Sequence, residues 1–362
     1  NGYGNFFRSP PSGYLALCSQ NLPTPTIKKS SEHFNTKLYT GNGATAQEIS
    51  LDFNPDLVWI KSRSDTEHHS LVDRVRGDVA LNSNQHIAEY AVANFDWNTN
   101  NTVDVPVYAN DYSMNTSSNN YVMWHWKANG SGSANTDGAT DTTATSANTT
   151  AGFSIIKVPG TGSSTTYGHG LGVVPKVYIV KLTSDTGSWY VQTSALDGGW
   201  DYMVLNTDVP SASMTATAPT SSVITGNITS DETALYYAWA EVEGFSKFGS
   251  YTGNGSTNGP YVYTGFRPSF VMYKRTNDLP GKTNEAGRWQ VLDTKRDTQN
   301  PSDTGISWNL TAAESSGSGT WDIDIFSNGF KLKTTEVEAN GDAGIFFYMA
   351  FAESPFKYAN TR

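Results

Sequence analysis

Four aromatic residues that stand among turn-forming residues are the groups in this sequence best suited to holding a ligand. They are Trp97, Tyr112, Trp200 and Tyr202. Sugar rings stack on aromatic faces, and the Asn, Asp and Gly residues around these positions are typical of turns, where such a face stays accessible. We predict these four as candidate glycan-binding platforms. Burial in a core or an interface is the alternative for each of them.

One pair of carboxylates has a spacing that permits chemistry. Asp322 and Asp324 alternate with isoleucine and therefore share one face of a predicted strand. Two carboxyl groups about 5 to 9.5 Å apart act as acid and base in glycoside cleavage, so a partner across the sheet would be required. The same alternation is typical of a half-exposed strand, which is the interpretation we favour.

Histidines and glycine-rich turns give no stronger signal. His68-His69 lies near two carboxylates, a zinc-binding combination, but adjacent side chains of a strand point to opposite faces. The segment 168–172 alternates glycine with other residues, yet it lacks the lysine and the following helix of a phosphate loop. No Gly-x-Ser-x-Gly turn is found. We therefore predict no catalytic residue, no metal and no cofactor, and a protein that is not an enzyme.

Composition excludes several other classes. Only 37% of the residues are hydrophobic while 12% are aromatic, which suits short strands joined by many turns. The formal charge of −10 repels phosphate backbones and anionic lipids, so we expect neither nucleic acid nor membrane as a partner. The single cysteine excludes an internal disulfide.

A chain of 362 residues is long enough for several domains, and one pattern recurs three times along it. A Gly-x-Gly turn is followed after 12, 13 and 13 residues by a proline, at Pro55, Pro175 and Pro268. After each proline comes an apolar strand that ends in lysine, with the sequences Leu-Val-Trp-Ile-Lys, Val-Tyr-Ile-Val-Lys and Phe-Val-Met-Tyr-Lys.

Each unit also closes with an aromatic strand. Trp126, Trp239 and Phe351 in these strands are 113 and 112 residues apart, which sets the length of the repeat. Units of this size each hold a two-layer sandwich. The sequence thus predicts an all-β fold of three tandem related β-sandwich modules with very little helix. The predicted modules cover residues 31–130, 151–244 and 245–362.

The segments between the modules differ in composition. Residues 131–150 contain only Gly, Ser, Ala, Asn, Thr and Asp, which predicts a flexible or extended linker and a first module that moves relative to the second. The second and third modules are joined without a spacer and are predicted to form one rigid body. Residues 1–30 do not match the repeat and are either the end of an upstream domain or a docking arm.

Some segments resemble those of known proteins. Gly-Tyr-Leu-Ala-Leu-Cys-Ser-Gln-Asn-Leu-Pro at residues 13–23 resembles the closing segment of SPRY-like domains in marine bacteriophage structural proteins. Residues 241–255, the Gly-Phe-Arg-Pro at 265–268 and residues 349–358 resemble a repeat module of phage tail-fibre, tail-associated and capsid-surface proteins. This resemblance implies a location in the virion, on the tail or the capsid surface. It implies other virion proteins as partners and carries over no catalytic residue.

The favoured function is therefore that of a non-enzymatic phage virion surface or fibre structural protein that mediates assembly and adhesion. Strands 177–182 and 270–273 are apolar on both faces, and cover by a sandwich and a subunit interface predicts a homo-oligomer. One alternative is a host-receptor module of a tail fibre that binds a cell-surface glycan through the aromatic platforms. The other, less favoured, is a polysaccharide depolymerase.

Overall fold

A computed structural model describes residues 11–359, except residues 17, 19–20, 108–113, 215–216, 280–286 and 318. The described residues are almost entirely in strands and loops, with one α-helix, α1 (Val337–Asn340), and 3₁₀ turns at Ser30–Glu32 and Phe356–Tyr358. The predicted all-β fold class is confirmed.

The first module contains β1 (Phe34–Thr40), β2 (Ala46–Ser50), β3 (Leu57–Ser62), β4 (Ser70–Asp73), β5 (Val79–Leu81), β6 (Tyr90–Ala91), β7 (Asp96–Trp97), β8 (Thr102–Pro106) and β9 (Asn120–Trp126). The second contains β10 (Ala144–Asn148), β11 (Phe153–Pro159), β12 (Ser164–Gly168), β13 (Val177–Leu182), β14 (Tyr190–Thr193), β15 (Asp201–Val204), β16 (Ala212–Ser213), β17 (Val223–Asn227) and β18 (Thr233–Trp239). The third contains β19 (Ser246–Thr252), β20 (Tyr261–Tyr263), β21 (Phe266–Arg275), β22 (Gln290–Asp293), β23 (Thr304–Ser307), β24 (Ser315–Ser316), β25 (Ile323–Phe326), β26 (Gly329–Leu332) and β27 (Ile345–Pro355).

Each module is built from one large and one small antiparallel sheet. The large sheets have the orders β1-β9-β3-β4-β5-β6, β10-β11-β18-β13-β14-β15-β16 and β19-β27-β21-β22-β23-β24. The small sheets are β2-β8-β7, β12-β17 and β20-β26-β25. In every large sheet the strand after the proline pairs with the aromatic closing strand, which places Leu57 opposite Trp126, Val177 opposite Trp239 and Phe270 opposite Phe351.

The turn that follows β1, β11 or β19 in each module has the sequence Gly-x-Gly for a steric reason. A Cβ atom on the first glycine, Gly41, Gly160 or Gly253, would lie only 2.2, 1.9 or 2.3 Å from a backbone carbonyl oxygen. The second glycine of each turn has a φ of 73°, 72° or 62°, a conformation that residues with a Cβ rarely adopt. Only glycine therefore fits both positions of the turn.

The strands after the prolines bury both faces inside the chain. In β13, Val177 and Ile179 face a core shared by all three modules, whereas Tyr178 and Val180 face the module's own small sheet. β3 and β21 divide their side chains in the same way. The cover that the sequence analysis assigned in part to a subunit interface thus comes from the chain itself. Homo-oligomerisation stays a prediction, without the support of this argument.

Aromatic side chains of the three closing strands meet in the shared core. The Trp126 ring lies 6.2 Å from the Trp239 ring and 5.8 Å from the Phe351 ring. Trp59 stacks on Trp308 of the third module with ring centroids 3.9 Å apart. Burial of a large aromatic side chain stabilises a fold by several kcal/mol, so this core joins the modules strongly.

A recurring hydrogen bond closes the three modules into a ring. Trp189 Nε1 donates to the carbonyl oxygen of Asn82 at 2.8 Å, and Trp289 Nε1 donates to that of Val204 at 3.1 Å. The corresponding position of the first module holds a histidine, whose Nε2 lies 3.0 Å from the Ser307 carbonyl oxygen. Each module therefore contacts the backbone of the preceding one, and the first contacts the third.

Two of the three interfaces also contain a buried ion pair. Asp73 and Arg76 are 2.5 Å apart, and the Tyr237 hydroxyl of the second module donates to the same carboxylate at 2.8 Å. Asp293 and Arg296 repeat this pair at 2.5 Å. There the donor to the carboxylate is Trp124 Nε1 of the first module, at 3.1 Å. The corresponding residues of the second module are Thr193 and Leu196, so its interface with the third lacks the pair.

Of the two forms predicted for the linker at 131–150, the flexible one is wrong. Ala144–Asn148 forms β10, which pairs with β11 at the edge of the second large sheet, and Ser133 bridges to Thr145. An edge strand needs only its backbone groups and small side chains, which this composition supplies. The buried Ser146 hydroxyl accepts the backbone N–H of Asn129 at 2.8 Å. The predicted independent motion of the first module is wrong as well, because that module shares the central core.

The segment before the first module lies against the third. Leu22 to Thr26 contact the end of β27 and the loop at Gly244, and Lys357 Nζ donates to the Leu22 carbonyl oxygen at 2.6 Å. Ile27 is buried in the shared core. Residues 22–27 therefore pack on the body of the protein, while residues 1–10 lie outside the described residues, and both alternatives for residues 1–30 stay predictions.

Candidate functional site

The second module has an open cleft where the other two modules are closed. In the first and third modules a third strand, β7 or β25, pairs with the small sheet and covers the large sheet. Among the described residues of the second module the small sheet has two strands only, β12 and β17. A cavity of about 530 Å³ lies between β17 and the outer face of the large sheet.

The side chains below the cleft differ from their counterparts. Tyr190 is 43% exposed, whereas the corresponding Ser70 and Gln290 are buried. Gln192 occupies the position of two buried aliphatic residues, Val72 and Leu292. The second module thus carries polar and aromatic groups where the others have a core.

Hydroxyl and amide groups line this cleft. Tyr178 donates a short hydrogen bond to Gln192 Oε1. The Tyr236 side chain is 2% exposed and lines the cavity, and its hydroxyl has no protein hydrogen-bond partner among the described residues. Burial raises the pKa of both phenols well above the ordinary value, so each is a neutral hydrogen-bonding group at physiological pH.

Glu232 is the one charged side chain among the residues that line the cavity. Acid–base cleavage of a glycoside requires two carboxyl groups in defined positions, and the described lining supplies one. The chemistry that this cleft offers is therefore binding, through a tyrosine face, amide groups, hydroxyls and one carboxylate.

Two of the predicted platforms lie beside the cleft. Tyr202 pairs directly with Gln192 across β14 and β15, and its ring centroid is 5.8 Å from that of Tyr190. Trp200 is half-buried and packs on Tyr178, 5.4 Å between centroids. The structure therefore brings Trp200 and Tyr202 together. Sequence reasoning missed Tyr190 and Gln192, although comparing the three modules position by position shows both as departures.

The other two platforms are elsewhere. Trp97 lies in β7 of the first module, where Arg74 covers its ring at 4.9 Å and Phe95 contacts its edge. Trp97 thus takes part in packing, which was the alternative stated for it, and it also lines a second cavity, of about 600 Å³, together with Asp56 and Asn98. Tyr112 lies outside the described residues.

The ionisable groupings from the sequence have local partners. Asp322 is buried and accepts the Gly319 N–H at 2.9 Å, and Asp324 pairs with Lys333 at 3.7 Å. The solvated face favoured for this pair is therefore wrong for Asp322, because the strand end folds under a turn. His69 is buried between Trp59 Nε1, at 3.0 Å, and the third module, while His68 contacts amide side chains.

Comparison with known proteins identifies one family. The profile of a domain of unknown function, DUF7483, matches residues 29–355, from the turn before β1 to the end of β27. The chain belongs to this family. The DUF7483 match covers all three modules as one unit, in agreement with their common core. No curated protein and no solved structure matches the chain. No helix among the described residues has the length and apolar character needed to span a membrane.

Proposed function

We propose that this protein is a non-enzymatic structural protein of a virion surface or fibre, and that it mediates assembly and adhesion through the open cleft of its second module. The three modules, closed into a ring around one aromatic core, form a rigid body that presents the cleft in a fixed orientation. The observation that carries the proposal is the incomplete small sheet β12-β17, which leaves a cavity of about 530 Å³ between β17 and the large sheet of the second module. The virion location depends on the resemblance of its segments to phage structural modules.

Labelling of intact particles tests the location. An antibody against the exposed side of the first module, which leaves the cleft free, is expected to decorate the tail or the capsid surface in electron micrographs. Particles that carry the protein but show label only after disruption would contradict a surface role. Label confined to host cells, with none on purified particles, would contradict the virion location itself.

A second candidate function is the binding of a cell-surface glycan, and the exposed tyrosine face favours it. Tyr190 and Tyr202 form an aromatic surface beside the amide of Gln192, which is the combination that holds a sugar ring and its hydroxyls. This function would use the same cleft for host attachment.

A glycan array with matched variants tests this second function. Tyr190→Ala is expected to weaken binding of a recognised glycan about tenfold or more, because stacked aromatic contacts contribute roughly 1 kcal/mol beyond their buried area. Tyr263→Ala is the control, since Tyr263 is 61% exposed on the third module, away from the cleft. Equal binding by both variants, or no saturable binding by the parent protein, would exclude the glycan function.

A further inference from the structure

We propose that the open edge of β17 binds an extended peptide of a partner protein, which adds to β12-β17 as the missing third strand. This inference rests on the proposed function, because it names the class of partner that the cleft receives. The occupant is a single strand with alternating side chains. The evidence for this occupant comes from the first and third modules, in which a strand of the same chain, β7 or β25, pairs at the corresponding edge.

The backbone of β17 has unpaired groups along the cleft. In the antiparallel pair with β12, hydrogen bonds join His169 to Ser222 and Gly162 to Ile228. Because bonded residues alternate along such a pair, the N–H and C=O of Thr225 and Asn227 point to the opposite edge. The described residues supply no partner strand on that edge. Exposed edges of this kind bind extended peptides through main-chain hydrogen bonds.

The third module shows how such a strand is held. There β25 pairs with β26, and Ile323 and Ile325 project into the core below. β26 pairs with β20 on its other side, so it holds the position that β17 holds in the second module. In the first module Trp97 of β7 pairs with β8 in the same way and packs against that module's core.

The lining of the cleft defines the side chains of the peptide. Val180, Leu182 and the ring of Tyr236 offer an apolar floor to every second residue. Glu232 in the lining of the cleft favours basic over acidic residues in the peptide, and the net charge of −10 acts in the same direction. The predicted ligand is therefore an extended segment in which apolar residues alternate with polar or basic ones.

A peptide derived from β25, the third strand of the small sheet in the third module, is a suitable probe. It has the sequence of residues 320–328 with Asp322→Lys and Asp324→Lys, which removes the repulsion from Glu232. In the intact protein the Lys333 N–H donates to the Asp322 carbonyl oxygen. By alternation, the N–H groups of residues 324 and 326 face the neighbouring strand, and those of 323 and 325 face away. N-methylation at 324 and 326 therefore blocks the pairing edge, and N-methylation at 323 and 325 is the matched control.

Fluorescence anisotropy of the labelled peptides with the full chain gives the result. The parent and control peptides are expected to bind with similar affinity, and the peptide blocked at its pairing edge about 5- to 150-fold more weakly, since two backbone hydrogen bonds are lost. Thr225→Pro, which removes one N–H from the open edge, is expected to lower affinity about two- to twelvefold relative to Thr225→Ala, which keeps it. The peptide series needs no protein variant, so a folding defect in Thr225→Pro does not affect it.

Three outcomes would overturn strand addition. They are no saturable binding of the parent peptide up to millimolar concentration, equal binding of the two methylated peptides, and binding of a glycan that Tyr190→Ala removes while no peptide binds. Each of these leaves the labelling of particles unaffected. If the protein is on the particle surface but the peptide does not bind, the partner class is rejected and the proposed function is kept. If the peptide binds but the protein is absent from particles, the proposed function is rejected and the partner class is kept.

Discussion

The buried pair Asp73–Arg76 tests how the modules are held together, because the second module has the uncharged residues Thr193 and Leu196 at the same positions. Both side chains are fully buried, their atoms are 2.5 Å apart, and Tyr237 of the second module donates to the carboxylate. Arg76→Leu leaves Asp73 charged and without its main partner. Removing one member of a buried pair costs about 3 to 5 kcal/mol.

The double variant distinguishes this account from a simple loss of packing. Asp73→Thr with Arg76→Leu places the residues of the second module, Thr193 and Leu196, at the first interface. It removes the orphaned charge, although the Tyr237 hydroxyl loses its acceptor and Glu89 and the Leu71 carbonyl lose their contacts with Arg76, so the expected loss falls to about 1 to 3 kcal/mol. Adding Tyr237→Phe is expected to reduce the loss further.

Thermal and urea unfolding measure these differences. The shared core predicts one cooperative transition. About 2.1 cal/mol/K per residue over 362 residues gives an entropy of about 0.8 kcal/mol/K, so Arg76→Leu should lower Tm by about 5 °C. Lys29→Leu, which breaks the exposed pair with Glu32, is the control and should change stability by less than about 1 kcal/mol. A double variant as unstable as the sum of its two single changes would refute the reasoning.

Two further predictions concern single residues. Burial lowers the pKa of His125 to about 4, whereas in the unfolded chain this histidine binds a proton near pH 6.5. Because only the unfolded state is protonated between these values, the free energy of unfolding should fall by up to about 3 kcal/mol as pH drops from about 6.5 to 4. The difference in unfolding free energy between the parent and His125→Phe, measured across that range, isolates this contribution, and a pH-independent difference would contradict it. Gly160→Ala places a Cβ 1.9 Å from the Thr229 carbonyl oxygen and is expected to destabilise the protein by more than about 2 kcal/mol, whereas Gly317→Ala, where the structure has open space, should change the unfolding free energy little.

The lysines near the ends of the three strands after the prolines show which features a sequence pattern predicts and which it does not. The sequence placed Lys61, Lys181 and Lys274 at strand ends, where exposure is the ordinary expectation for lysine. In the structure all three are buried, and their ammonium groups donate to loop carbonyl oxygens, at 3.2, 3.2 and 2.8 Å. Desolvation lowers the pKa of Lys274 to about 7. The local pattern was enough to predict each strand, whereas the neighbouring loop determines the environment of its lysine, one residue before the strand ends.

The sequence by itself determined what depends on short-range chemistry. Alternating and aromatic segments, Gly-x-Gly turns and the spacing of prolines were enough to predict an all-β chain and the strands β3, β13 and β21, because strand formation and tight turns depend on neighbouring residues. The tertiary structure alone decided what those strands face. Three features follow from contacts between residues far apart in the chain. Residues 144–148 complete a sheet, the first module is part of the ring, and Tyr190 and Gln192 lie below the open edge of β17. Composition cannot specify such contacts, since a polar segment gains its order from the backbone groups of the strand beside it.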